Sequence, residues 1–293
     1  QASLSMEDLG NLPIAIPPLQ EQNLISQYLD KKIQRIDLLI KKVQKKIELL
    51  KEQKISLIDQ FVTKGLNPNA DTKDSEVQWI AEIPKHWEIK KLGYLCNLKG
   101  RIGFKGYRKD DLVSKNQGAL VIGGKHIDSE QRLNLKNPDF IKWEKYYESP
   151  EIMVKEKDLI ISQRGSLGKV VFIDKDYGAM TINPNLVLLN SITVNPKFLW
   201  YFLQSNYIVS NISLLNQGSA VPMLSQEQIS NFKIIVPPKK EQEEIKNVMD
   251  KKVDFILTII QKEKEKIKLL REYRNSLLTS LVTGKIRITE EMI

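Results

Sequence analysis

The feature that most constrains this chain is an internal duplication. Displaced by 220 residues, its two ends align without a gap. Leu4-Ser5 falls on Leu224-Ser225, Asn11 on Asn231, Pro17-Pro18 on Pro237-Pro238 and Glu21-Gln22 on Glu241-Gln242. Asp30-Lys31-Lys32 matches Asp250-Lys251-Lys252, Leu49-Leu50 matches Leu269-Leu270, and Val62-Thr63 matches Val282-Thr283. Roughly 25 of some 60 aligned positions are identical, too many for two helices that share only a composition bias. The period is far longer than a solenoid repeat, so a whole module is duplicated with unique sequence between its copies.

Each copy has the same internal order. A short apolar stretch (Leu12 to Ile16, Phe232 to Val236) predicts a strand, and the Pro-Pro pair ends it because proline has no N–H to give a ladder. A long helix follows. In the first copy apolar residues fall at Leu29, Ile33, Ile36, Ile40, Val43, Ile47, Leu50, Leu57 and Phe61, alternating steps of four and three. The second repeats the seam at Met249, Val253, Ile256, Ile260, Ile267, Leu270, Leu277 and Leu281. Some 45 residues per helix make a rod of roughly 65 Å. Lys54 and Arg274 break the seam at equivalent positions, and Glu263 stands where the first copy has Val43. Long basic side chains can snorkel at a helix end; polar seam residues can also fix register or meet a partner subunit. Two matching seams in one chain predict an antiparallel pair related by a pseudo-two-fold axis.

The middle of the chain differs. Asn67-Pro68-Asn69-Ala70-Asp71 is a polar linker, and from Trp79 the hydrophobic period shortens towards two, with short β-branched and aromatic runs between turn residues. Ala119 to Ile122, Asp158 to Ser162, Lys169 to Ile173 and Asn185 to Leu189 are expected strands, and Pro196 to Ser210 an expected helix. The fold class is therefore α+β: a compact mixed α/β domain flanked by two long helices forming an antiparallel coiled coil. The expected segments are 1–16, the end of a preceding domain; 17–66, the first helix; 67–236, the α/β domain; and 237–293, the second helix with a C-terminal tail.

Charge narrows the partner. The formal net charge is +9 with a pI near 9.3, and residues 72–236 alone carry 22 basic against 17 acidic side chains. That excess favours an acidic partner such as nucleic acid. Cys96 is the single cysteine, so no intrachain disulfide framework exists and a reducing, cytoplasmic setting is expected. No run of 18 apolar residues spans a membrane, and no signal peptide is visible. The chain opens at Gln1 without methionine, which suggests that the native N-terminus is missing.

Catalytic motifs are weak. Gly165-Ser166-Leu167-Gly168-Lys169 lacks the spacing and the Lys-Ser/Thr ending of a phosphate loop and fits a glycine-rich turn between strands. Asn183-Pro184-Asn185-Leu186 and Asn195-Pro196-Lys197-Phe198 lack the second proline of the amino-methyltransferase motif and are expected turns. With two histidines, His86 and His126, and one cysteine, neither a zinc cluster nor a Ser-His-Asp triad is easily assembled. DNA-contact candidates lie in the loops. Arg101, Lys105, Tyr107 and Arg108 surround Gly100, Gly103 and Gly106, a basic stretch suited to phosphates. Gln163-Arg164 before the glycine turn and Asn216-Gln217-Gly218-Ser219 supply side chains of the kind that pair with base edges. Lys125, Ser166 and Lys169 complete the candidate set.

These residues carry a resemblance. Leu224-Ser225-Gln226-Glu227, Val236-Pro237-Pro238 and Glu241-Gln242-Glu243-Glu244-Ile245, followed by a helix closing on Leu281-Val282-Thr283-Gly284-Lys285, resemble the conserved region of type I restriction-modification specificity subunits. The middle resembles that family's target-recognition domain at Ile83-Pro84-Lys85-His86-Trp87, Lys91-Leu92-Gly93, Asp158-Leu159-Ile160-Ile161-Ser162-Gln163-Arg164-Gly165 and Gly218-Ser219-Ala220-Val221-Pro222-Met223-Leu224. The resemblance implies a non-catalytic subunit built as recognition domain, helix, recognition domain, helix. Each recognition domain reads half of a bipartite double-stranded DNA target, and the helices space the halves. It implies two methyltransferase subunits as partners, which bind S-adenosylmethionine, and restriction subunits that cut; no cofactor is expected in this chain. Residues 1–16 are then the tail of a first recognition domain that is otherwise absent. Two other classes fit less of the chain. A coiled-coil scaffold explains the helices but not the basic middle, and a nucleotide enzyme would need Gly165 to Lys169 as its loop.

Overall fold

The computed structural model describes residues 5–11, 14–77, 79–103, 106–217 and 222–292. In chain order the elements are α1 (Met6–Gly10), α2 (Leu19–Lys64), β1 (Thr72–Val77), β2 (Ile80–Pro84), β3 (Glu88–Lys91), β4 (Asn97–Gly100), β5 (Leu112–Val113), β6 (Gly118–Ile122), β7 (Asp139–Lys142), α3 (Trp143–Tyr147), β8 (Leu159–Ser162), β9 (Val170–Phe172), β10 (Met180–Ile182), β11 (Leu186–Asn190), α4 (Pro196–Phe202), α5 (Asn206–Leu215), α6 (Gln226–Ser230), β12 (Lys233–Val236) and α7 (Lys239–Val282). The chain divides into two compact units, Gln1–Glu52 with Asp254–Ile293, and Gln53–Val253.

The first unit is the coiled coil expected from the seams. Leu29, Ile36 and Ile40 of α2 pack with Leu277 and Leu281 of α7, while Val43 and Ile47 pack with Ile256 and Ile260. Numbers rise along one helix as they fall along the other, so the pair is antiparallel. Fully burying each such side chain contributes about 1.5–3 kcal/mol, which is what holds a pair of otherwise marginal helices. Both polar seam residues in this unit have partners. Glu263 lies 2.5 Å from Lys46, whose ammonium holds its carboxyl below the usual range, and Arg274 lies 3.2 Å from Asp37.

The second unit is an α/β domain of two four-stranded sheets, ordered β10-β6-β7-β5 and β4-β11-β8-β9. All pairings are antiparallel except β10 with β6, which run parallel with Thr181 opposite Val121. Leu120 and Ile122 of β6, Ile160 of β8, Val171 of β9, Ile182 of β10 and Leu186 and Leu188 of β11 meet in one core. Strands β6 and β8 are buried along their whole length, which explains their near-continuous apolar sequence. Buried Trp200 of α4 donates its Nε1–H to the Val170 carbonyl at 3.1 Å, anchoring the helix on β9.

Two expected elements differ. The helix expected over Pro196 to Ser210 is two helices, because Asn195 caps α4 and Ser205 restarts the chain as the cap of α5. The stretch expected as a strand at Leu12 to Ile16 lies partly outside the described residues, and Ile14 to Ile16 are irregular, with Ile14 78% and Ile16 79% exposed. Their counterparts in β12 are buried because β12 pairs with β3, Ile235 opposite Ile89. A strand needs a partner for its N–H and C=O groups, and the first copy shows none among the described residues.

Candidate nucleic-acid interface

Two of the candidates, Gln163 and Arg164, meet one short segment, Asn183 to Asn185, between β10 and β11. The parallel pairing of β10 with β6 places this segment beside the end of β6, where the Asn183 amide donates to the Ile122 carbonyl at 2.9 Å. Its other side meets the end of β8. The Gln163 and Arg164 amides both donate to the Asn185 carbonyl, and Gln163 Nε2 donates to the Pro184 carbonyl at 2.8 Å. The antiparallel pairing of β11 with β4 brings Gly100 and Arg101 to the same edge. Three loops therefore converge, though their sequences lie tens of residues apart.

The glycine-rich turn between β8 and β9 is tight because two glycines adopt left-handed backbone, Gly165 at φ 76° and Gly168 at φ 72°. The Gly168 amide closes it onto the Ser162 carbonyl at 2.9 Å. Arg164 and Ser166 are exposed and Lys169 is half-buried. Arg164 bridges to Met223, its Nε donating to the Met223 sulfur at 3.1 Å, and the Met223 amide donates to Asn216 Oδ1 at 2.9 Å. This carries exposed Gln217 into the same neighbourhood. Exposed Lys125 pairs with Asp139 at 2.7 Å. Lys105 and Ser219 lie outside the described residues.

Two of the candidates have structural partners instead of a free face. Arg101 is only 6% exposed; its Nε donates to the Ile182 carbonyl at 3.2 Å and its Nη2 to Thr181 Oγ1 at 3.0 Å. Burial lowers its pKa, partly offset by Tyr107, Glu151 and Glu148. It pins β4 to β10, and a buried guanidinium is poorly placed to follow a phosphate backbone. Tyr107 packs beneath it, the Arg101 carbon 5.5 Å from its ring centre, and burial raises the phenol pKa. Arg108 is exposed, and its backbone N–H donates to Asp111 Oδ2 at 2.7 Å.

Sequence reasoning missed the hub itself. Asn183 to Asn185 are the turn they were expected to be, with the Asn185 amide bonded to Asn183 Oδ1 at 3.0 Å. Nothing local shows that three loops hang from that turn. A concavity of about 1070 Å³, lined by Asp59, Trp79, Glu82, Asn206 and Lys252 among others, contains none of the candidates. Arg164, Ser166 and Gln217 are exposed side chains that line no part of that concavity. Among the described residues, no group of three or more His, Cys, Asp or Glu is placed to hold a metal ion, and no helix is long and apolar enough to cross a membrane.

Residues 84–269 match the family model described as type I restriction modification DNA specificity domain. The chain belongs to that family. Over 290 residues it is 29% identical to a Methanocaldococcus jannaschii protein assigned as the type I restriction enzyme MjaX specificity subunit, spanning 98% of this chain and 62% of the relative. Over 284 residues it is 27% identical to the MjaVIII specificity subunit of the same organism, covering 95% and 63%. A chain solved for the structural basis of complex assembly and conformational transition of the type I R-M system superposes with TM-score 0.71 at 17% identity, over 97% of this chain and 64% of that one. The HsdS subunit from Thermoanaerobacter tengcongensis gives 0.51 at 17% identity, over 98% and 64%. At such identity these superpositions establish the fold of a specificity-domain protein. The chain spans less than two thirds of the length of these relatives.

Proposed function

We propose that this specificity-domain chain is the DNA-reading part of a type I restriction-modification complex and catalyses nothing itself. The observation that carries the reading is that Gln163 and Arg164 bond to Pro184 and Asn185 while Arg164 also meets Met223, which is bonded to Asn216. This sets the turn with Ser166 and Lys169 beside the loop with Gln217, and exposed Lys125 lies three residues beyond Ile122, to which Asn183 is bonded. Positive and amide side chains on loops held by a rigid double sheet can contact phosphates and base edges together. Exposed Arg108 belongs to the same proposed contact set, as do Lys105 and Ser219 on the ground of their sequence alone. Residues 67–236 form the recognition domain for one half of a bipartite duplex target, 17–66 and 237–293 carry the helices that set half-site spacing, and 1–16 end a first recognition domain.

The duplication supports that arrangement. In the second copy Gln242 Nε2 donates to the Pro237 carbonyl at 2.7 Å while its Oε1 accepts from Asn195, and Asp250 accepts from Tyr201 at 2.7 Å. In the first copy Gln22 makes the same bond to the Pro17 carbonyl at 2.8 Å, yet Gln22 and Asp30 stand exposed. The first copy thus keeps the side chains that hold a recognition domain in the second. The partners of the whole assembly are double-stranded DNA, two methyltransferase subunits that bind S-adenosylmethionine, and restriction subunits, all in the cytoplasm.

The test is methylation mapping with the full-length protein and its cognate methyltransferase subunit. A bipartite adenine-methylated site is expected, one half of which changes when residues 67–236 are exchanged for those of a relative. Inserting one heptad into α2 should lengthen the spacer and leave both half-sites intact. A methylation pattern indifferent to the domain exchange overturns the reading.

A further inference from the structure

Lys54 breaks the apolar seam of α2, and its ammonium lies 3.8 Å from Glu130, with side chains only 9% and 15% exposed. Charges this far from water persist because they are paired. Glu130 sits at the tip of a small hairpin closed by the Ile127–Leu133 bridge, in which Asp128 Oδ1 accepts from the Glu130 and Arg132 amides, both at 2.9 Å. The next residue, Gln131, holds left-handed backbone at φ 60°, a conformation that a non-glycine residue keeps only when its surroundings impose it. Its side chain then reaches across to β9. Gln131 Oε1 accepts from the Val170 amide at 2.8 Å. Val170 is the residue immediately after the glycine-rich turn that carries Arg164, Ser166 and Lys169.

We propose that Lys54, Glu130 and Gln131 form a strut fixing the β8–β9 turn to the last turns of α2, so that Lys54 is a positioning residue for base recognition. The proposal rests on reading that turn as a DNA contact. The aligned residue of the second copy, Arg274, pairs instead with Asp37 of the coiled coil, 3.2 Å away. The basic break in the seam has thus been put to a different use in each copy. A tip held only by its own turn would let Gln131 relax from left-handed backbone and release the Val170 amide. Held by Lys54, the hairpin gives the turn a fixed distance from the helix.

Hydrogen–deuterium exchange on the full chain tests the strut at the Val170 amide and through 163–169. Lys54→Met keeps the length and apolar stem of the side chain and removes its charge; Lys54→Glu with Glu130→Lys restores opposite charges in reverse order. Exchange at Val170 should quicken about tenfold in Lys54→Met, recover in the charge-swapped pair, and stay unaltered in β10 and β11. Wild-type exchange at Val170, or an equal rise throughout β10 and β11, overturns the strut. If Lys54→Met does not fold, Gln131→Leu deletes the acceptor at a half-buried position and must give the same local rise; its absence overturns the strut equally. In the assembled complex, the affinity ratio of target to non-target duplex should fall about tenfold in Lys54→Met, with non-target affinity unchanged. Quickened exchange with an unchanged ratio overturns the positioning role through the reading of the turn, whereas unchanged exchange overturns it through the strut.

Discussion

Trp87 donates its Nε1–H to Glu241 Oε2 at 2.9 Å, tying the turn that opens the α/β domain to the first turn of α7. The same carboxylate reaches His86 Nε2 at 2.6 Å. Trp87 is fully buried, so its indole N–H has no water to turn to. Glu241→Ala leaves that donor unsatisfied and should cost about 1–3 kcal/mol. Glu241→Gln keeps an acceptor and should cost less. Denaturant unfolding followed by tryptophan fluorescence separates the two, and equal losses would show that the bond contributes nothing beyond packing.

The two left-handed glycines of the β8–β9 turn should differ in their tolerance of a methyl group. A Cβ on Gly165 meets nothing within 4 Å, whereas one on Gly168 would lie 2.4 Å from Ile212 Cδ1. Both substitutions carry the backbone cost of φ > 0, about 1–2 kcal/mol. Gly168→Ala adds a clash with a buried side chain of α5 and should also displace the turn. Stability should therefore fall further in Gly168→Ala than in Gly165→Ala, with a matching loss of target-duplex affinity. Identical melting curves for the two variants would contradict the packing described for the turn.

How much of this was legible from sequence depended on whether the controlling contact was local or repeated. The seams of α2 and α7 were legible because burial at Ile36, Val43, Ile256 and Ile260 recurs at helical spacing. The antiparallel pairing followed from two equal seams in one chain. Ile14 and Ile16 were misjudged because a strand is completed by another strand, and β3 supplies one only to the second copy. Arg101 was misjudged because glycines on either side gave it the look of an exposed loop, while Thr181 and Ile182, which bury it, lie some 80 positions away. Lys54 was visible as an anomaly, but its partner was not. A helical period shows that a face is covered without showing by what.

Cys96 gives the fold a defined alkaline limit. Burial pushes its thiol up to about 12, because the thiolate would lose hydration without gaining a partner charge. An unfolded thiol ionises near 8.5, so above that pH the native state holds the proton more tightly than the unfolded state. Stability from this group is therefore intact below about pH 8.5 and falls by roughly 1.4 kcal/mol per pH unit as pH rises towards 12. Cys96→Ala should flatten that slope. Thiol labelling at pH 8 should proceed only at the rate of opening of the domain, and immediate labelling of the native protein would disprove the burial.

Arg101 and Arg164 make the sharpest comparison, because both were candidates for the same role. Arg101 donates to Ile182 and Thr181 inside the domain, while Arg164 stands exposed beside Met223. Arg101→Ala removes charge-assisted bonds and strands two acceptors, and should cost about 2–4 kcal/mol of stability. Arg164→Ala should change stability by no more than about 0.5 kcal/mol. Its effect belongs to binding: a loss of about 1–3 kcal/mol for the target duplex if it pairs with a base edge, or a salt slope reduced by about 1 if it contacts phosphate. Unfolding curves with duplex titrations at several salt concentrations distinguish these outcomes. If Arg164→Ala were the destabilised variant and Arg101→Ala the one that lost only DNA, the assignment of the two arginines would be reversed. The exposed edge around Asn183 to Asn185 would then no longer be the surface that meets DNA.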